Sequence, residues 1–197
     1  MPSALDLVSN SGLAARLKAD HFRKSARTWR RVHGASAAIQ IVNLQGSMLG
    51  TREHGRCALN VAVYFPVLAD VLGIGRETER PSESDGHLRR RAAVLEPSGL
   101  DTWFEFDSAD HRSIERAGLA VVRLYSEFGA PWLDRISDLR QARNEFARTG
   151  QPWYAAAASV ACDDQEGARQ FLTQALATCP SWTAPHLRQW GRRYELL

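Results

Sequence analysis

The sequence predicts an α+β fold: an antiparallel sheet of four or five strands packed with an N-terminal helix, followed by a C-terminal helical tail of about five helices. Three observations carry this expectation. The run Arg56–Phe65 alternates with period two, placing Cys57, Leu59, Val61, Val63 and Phe65 on one face and Ala58, Asn60, Ala62 and Tyr64 on the other. Further short apolar runs up to Phe106 are joined by brief turns, which makes neighbouring strands antiparallel by default. From Ser108 onward the apolar spacing becomes helical, with Pro at helix starts and Gly or Pro after helix ends. These boundaries divide the chain into a sheet region, 1–107, and a helical region, 108–197, expected to pack on the sheet rather than fold alone.

In chain order, Leu5, Val8, Leu13 and Leu17 predict one helix over Ser3–Lys18, weakened at Gly12. Phe22–Arg31 is a first strand, with Thr28 and Trp29 suiting a pleated surface. Ala37–Ser47 is the second, built on Ile39, Ile41, Val42 and Leu44. Met48–Gly55 is a loop leading into the central strand. Val67–Leu72 is a short helix stopped by Gly73, and Gly73-Ile74-Gly75 is a turn. The polar stretch Arg76–Gly86, with Pro81, is a mobile loop. His87–Leu95 is a fourth strand and Trp103–Phe106 a short last one.

Beyond it, Ser108 suits an N-cap for a helix carrying Ile114, Ala117, Val121, Leu124 and Phe128 and ending at Gly129. Pro131 opens the next helix, which ends near Thr149-Gly150. Pro152 opens an alanine-rich helix to Ala161, Asp163 or Asp164 caps Gln165–Thr178, and Pro185 opens the last. Ala168, Leu172, Ala175 and Pro180 have the spacing of one tetratricopeptide unit, but no period of about 34 residues recurs, so an alanine-packed helical hairpin is the plainer reading.

Composition narrows the function classes. With 44% hydrophobic and 24% charged residues the chain has ordinary globular content, which excludes wholesale disorder. A net charge of +3 is too small by itself to argue for nucleic acid. Of 25 basic residues only Lys18 and Lys24 are lysine. The other 23 are arginines, which could serve planar, bidentate recognition but fit better the solvated helix faces of a GC-rich bacterial genome. Cys57, Cys162 and Cys179 show no CxxC spacing and are expected as free thiols of a reducing cytosol. No signal peptide or membrane span is expected, and the predicted location is cytoplasmic.

Four segments carry a resemblance to a known family: Phe22-Arg23-Lys24 with Thr28-Trp29-Arg30-Arg31; Ile41-Val42-Asn43-Leu44-Gln45-Gly46-Ser47; Leu59-Asn60-Val61-Ala62-Val63; and Arg89-Arg90-Arg91 with Asp101-Thr102-Trp103-Phe104. Together they resemble a bacterial family catalogued as a domain of unknown function, number 4304. The likeness covers about the first hundred residues. Family members often have a Cys before the arginine-containing strand and a second Trp after the first; this chain has neither, with Phe104 in the second aromatic place. The resemblance implies no activity.

No nucleophile elbow, Walker loop, GxGxxG, HExxH or EF-hand loop occurs. The six histidines are scattered without pairs three or four apart, so no metal and no cofactor is expected. Asp107, Asp110 and His111 fall together where a helix begins, and capping accounts for them. The remaining candidates are polar residues on strands. Asn60 between Ala58 and Ala62 leaves room beside the sheet, and neighbouring strands can bring Trp29, Asn43, Gln45, Arg91 and Trp103 to the same surface. Amides and an arginine flanked by indoles suit an anionic or planar ligand. Equally, Asn43, Gln45 and Asn60 can bond to one another or to loop backbone, and Arg91 can pair with Glu96 or Glu105.

The sequence therefore points to a non-catalytic binding or protein-interaction module that uses the polar sheet face or the helical hairpins. Its rival is a cofactor-independent enzyme acting on a small anionic substrate at the same face. A third reading is single-stranded nucleic-acid binding through Arg23, Lys24, Arg27, Arg30 and Arg31 around Trp29, with Trp190, Arg192, Arg193 and Tyr194 at the end of the chain; Glu77, Glu79, Glu83 and Asp85 oppose that charge.

Overall fold

The computed structural model of the chain describes residues 3–34, 37–47, 54–73 and 80–197. They divide into two units: Met1–His33, Ile39–Tyr64 and Arg80–Asp134 in one, and Gly34–Ala38, Phe65–Glu79 and Arg135–Leu197 in the other.

The first unit begins with a capping box. The Ser3 hydroxyl accepts from the Asp6 amide, and the Asp6 carboxylate accepts from the Ser3 amide, so two otherwise unpaired donors are satisfied at the start of α1 (Ala4–Val8). Those hydrogen bonds from Ser3 hold the Asp6 carboxyl below its ordinary range. A π-helical turn, Ser9–Leu13, links α1 to α2 (Ala14–Ala19), and Gly12 takes φ 135° within it. The weak point expected at Gly12 is therefore a real kink. Leu5, Val8, Leu13 and Leu17 are all buried.

Six strands follow: β1 (Arg23–Ser25), β2 (Thr28–His33), β3 (Ala38–Gly46), β4 (His54–Tyr64), β5 (Leu88–Arg91) and β6 (Phe104–Asp107). The single strand expected over Phe22–Arg31 is in fact a tight hairpin, with Ser25 opposite Thr28. Its turn residue Ala26 has φ 52°, a conformation that usually selects glycine, so no local signal marked the reversal. The sheet runs β1-β2-β3-β4-β5, and every pairing whose register is resolved is antiparallel. It is not a simple meander. β5 pairs with Asn60–Val63 and β6 with His54–Cys57, so both lie end to end along the β4 edge away from β3. Eleven residues make β4 long enough to hold two four-residue strands. The fourth strand is also shorter than expected, because after Arg91 the chain enters a 3₁₀ turn, Ala92–Leu95, which buries Ala92 and Ala93.

Both faces of β4 are buried along most of its length. Cys57, Leu59, Val61 and Val63 lie on the predicted apolar face. On the opposite face, Ala62 is covered by backbone: a Cβ on Gly86 would stand 2.6 Å from the Ala62 Cβ. Beside it His87 stacks on Tyr64, ring centroids 4.9 Å apart. The described part of the predicted mobile loop is thus an ordered lid on the sheet. Ser82 and Asp85 form a second capping box around the 3₁₀ turn Glu83–Asp85, Arg30 Nε donates to the Pro81 carbonyl, and Arg89 pairs with Glu83 at 2.8 Å. Residues 48–53 of the predicted loop before β4, and 74–79, which include Ile74, Gly75, Glu77 and Glu79, lie outside the described residues.

After β6, α3 (Pro66–Leu72) having come before β5, the chain becomes helical with α4 (His111–Leu124). Its cap is Asp110, whose carboxylate accepts from the Arg112 amide, and not Ser108. Two residues separate the candidates, and Asp110 is the one with extended φ and ψ at the first unpaired amides. The helix does not stop at Gly129. A π turn, Tyr125–Gly129, carries it into α5 (Ala130–Ile136), with the Ala130 amide bonded to the Tyr125 carbonyl five residues back. The wider turn lets Pro131, which has no amide hydrogen, follow without ending the helix. The break falls later, at Ser137, so the single helix expected from Pro131 to Thr149 is two, α5 and α6 (Leu139–Arg148).

In the second unit, Pro66 opens α3 and Gly73 closes it with φ 66°. Asp138 caps α6, and Pro152 opens α7 (Pro152–Ala161). Asp164 caps α8 (Gln165–Thr178), and Pro185 lies in the first turn of α9 (Ala184–Arg193). Ala155, Ala156, Ala157 and Ala158 are all buried, so successive sides of α7 meet neighbours closely, including α6 and α8. The Trp190 indole and the Tyr194 hydroxyl both donate to the Val71 carbonyl, at 2.8 and 2.9 Å, tying α9 to α3. No described helix is long and apolar enough to cross a membrane.

Candidate ligand-binding face

The register decides which predicted site residues meet. Asn60 stands opposite Asn43 on one side and Arg91 on the other, so all three share the face that also carries Ala58 and Ala62. Gln45, two residues beyond Asn43, joins them: its side-chain carbonyl accepts from Asn60 Nδ2 at 2.9 Å. The Arg91 guanidinium lies 4.4 Å from the centre of the Trp103 ring, which brings in the segment before β6. Gln45, Asn60, Arg91 and Trp103 therefore form one cluster.

Two predicted members do other work. Asn43 turns its amide toward β2, donating to Thr28 Oγ1 at 2.9 Å and to the Arg27 carbonyl at 3.2 Å. Trp29 lies on the other face. Because Thr28 reaches Asn43 on the polar side, its neighbour Trp29 must point the opposite way. There it is 1% exposed, with the Lys24 ammonium 5.2 Å from its ring centre.

The Arg91 geometry is unusual. Its Nε pairs with Asp101 at 3.3 Å, not with Glu96 or Glu105, which pair with Arg123 and Arg56. Trp103 covers the guanidinium, and the side chain is 22% exposed. Its Nη1 is buried and has no hydrogen-bond partner among the described residues. A buried donor left unpaired costs about 1–3 kcal/mol, more when charged. Asn60 is 6% exposed beside it, while Gln45 is exposed. Chemically the cluster offers a charged donor, two amides and a stacking surface: groups that bind and orient. Among the described residues no three His, Cys, Asp or Glu side chains are placed to hold a metal ion.

Sequence reasoning missed two features. Asp101 stood out only as part of a family motif, since nothing local marks an exposed acid as an arginine's partner. The second is a polar network on the apolar face. Arg31 donates to Gln40 Oε1 at 2.6 Å, to the Asp20 carbonyl at 3.0 Å and to Asp134 at 2.6 Å, and the Tyr125 hydroxyl donates to the Asp20 carboxylate at 2.8 Å. Burial, and then that bond to Asp20, push the Tyr125 phenol well above its ordinary range. These residues are scattered from 20 to 134 in the chain, so no spacing rule could have joined them.

A family described as "Domain of unknown function (DUF4304)" matches residues 13–135. The chain belongs to this family. The DUF4304 span starts at the kink before α2, takes in the whole sheet and α4, and ends within α5. The cluster of Gln45, Asn60, Arg91 and Trp103 therefore lies entirely inside the family domain. No curated protein and no solved structure matches the chain.

Proposed function

We propose that this DUF4304 protein is a non-catalytic binding module whose polar sheet face receives a carboxylate-bearing group of its ligand. The observation that carries this reading is the unpaired, buried Nη1 of Arg91, held in place by Asp101 and Trp103. An incoming carboxylate oxygen would supply the missing acceptor and gain a charge-assisted hydrogen bond. Asn60 and Gln45 would add amide contacts beside it, and Trp103 a flat surface. The groups gathered there recognise rather than react, which favours binding over turnover. Of the aromatic residues in the nucleic-acid reading, Trp29 and Trp190 are buried, which favours a sheet-face ligand over a stacked strand.

Affinity capture from lysate, with mass spectrometry of both retained small molecules and retained proteins, tests this. The expected result is a species held by the wild-type chain and lost from both Asn60→Leu and Arg91→Met. Equal retention by the two variants contradicts the site. Conversion of a retained small molecule to product would favour the enzyme instead.

A further inference from the structure

The polar sheet face holds an amide pair whose hydrogen bonding is only partly used. Asn60 Nδ2 donates to Gln45 Oε1 at 2.9 Å. That bond spends one donor and one acceptor, while Asn60 Oδ1 and Gln45 Nε2 have no partner among the described residues. An acceptor beside a donor is the complement of the edge of an extended peptide, which presents N–H and C=O groups in turn.

The strand register fixes where this pair lies relative to Arg91. Asn60 stands directly opposite Arg91 on β5, and Gln45 stands opposite Ala58, the next residue of β4 on the same face. Neighbouring strands are about 4.8 Å apart, so the amide pair begins one strand spacing from Arg91. In a peptide chain the terminal carboxylate and the last peptide unit are separated by one step of the chain, roughly 3.8 Å. The two spacings are close enough for one ligand to meet both. Asp101 sets the charge that can be received. It pairs with Arg91 Nε at 3.3 Å, so an acid arriving at Nη1 shares the guanidinium with one already present. Repulsion between them disfavours a dianion such as phosphate and suits the single charge of an α-carboxylate.

We infer that the carboxylate received at this face is the free carboxyl terminus of a peptide chain. The α-carboxylate lies on Arg91 Nη1, and the N–H of the last residue donates to Asn60 Oδ1. Gln45 Nε2 donates to the next carbonyl along the same edge of the peptide. This ligand class rests on the carboxylate-binding role proposed for Arg91 and specifies what carries the carboxylate.

Backbone and side-chain ¹⁵N NMR of the full chain, titrated with acetyl-Ala-Ala, its C-terminal carboxamide and butyrate, tests it. Acetyl-Ala-Ala is expected to give saturable shifts at Gln45, Asn60, Arg91 and Trp103. The carboxamide should bind about tenfold or more weakly, as loss of a charged hydrogen bond implies, and butyrate about threefold or more weakly, as loss of neutral ones implies. Gln45→Met, a change at an exposed side chain, should weaken acetyl-Ala-Ala and leave butyrate unchanged. Should that variant lose its folded spectrum, the three-way comparison on the wild type decides alone. Butyrate binding as tightly as acetyl-Ala-Ala, with both lost in Arg91→Met, overturns the peptide ligand but leaves the carboxylate role of Arg91 standing. A carboxamide as tight as the acid, or no shift at these residues with either acid, overturns both. Much weaker binding of acetyl-Ala-Ala-Ala-Ala than of acetyl-Ala-Ala also overturns the inference, since a site for a chain end must admit the chain behind it.

Discussion

At the scale of single residues, Arg91 separates a binding role from a structural one. If its orphaned donor exists for a ligand, Arg91→Met removes a buried donor that lacks an acceptor while keeping a flexible chain against Trp103. Thermal unfolding should then show the variant as stable as the wild type, or more stable, although it no longer retains ligand. A loss of about 2 kcal/mol or more would mark Arg91 as a structural residue. His87 provides a pH test. Burial pulls its imidazole down from 6.5 to about 4. The folded state prefers the neutral ring, so the contribution is complete above about pH 6.5 and is lost as pH falls through about 4. Urea unfolding at neutral and acid pH should show a loss of about 1–2 kcal/mol that His87→Phe lacks. An identical acid slope in the variant contradicts the assignment. Cys57 is simpler: burial pushes its thiol up to about 12, so thiol reagents should label it only on unfolding.

Elements are held by a few contacts whose removal has a defined cost. Asp110→Ala leaves the Arg112 amide at the start of α4 without its acceptor, and should cost about 1 kcal/mol in chemical denaturation. No loss would mean the cap lies elsewhere. The lid over the polar face depends on Gly86, because a methyl there collides with Ala62. Gly86→Ala should destabilise by about 1–3 kcal/mol. Adding Ala62→Gly should return part of that loss, whereas strictly additive effects would show that the two residues do not meet.

Across the whole molecule, legibility followed the range of the physics involved. Helix ends in the second unit were readable because Pro66, Pro152, Pro185 and Asp164 act within one turn of their own position. The alternation of β4 was readable for the same reason. The β1–β2 hairpin was not, since Ala26 adopts a positive φ without a residue that advertises it. Nor was the continuation from α4 into α5, where a π turn absorbed the expected break. That Asn60, Gln45, Arg91 and Trp103 lie together was legible from alternation and residue type. Trp29 was misplaced by one step of register, which in a strand reverses the face. Asp101 and the Arg31 network depend on contacts between distant segments, and no local pattern encodes those.

In the proposed binding mode, the ligand meets Arg91 and Trp103 on the polar sheet face. Side-chain ¹⁵N NMR, following the Arg91 guanidinium and the Trp103 indole while the captured species is added, tests it most directly. Both signals should move together and saturate. If they stay fixed while binding shifts signals elsewhere in the chain, the claim is contradicted.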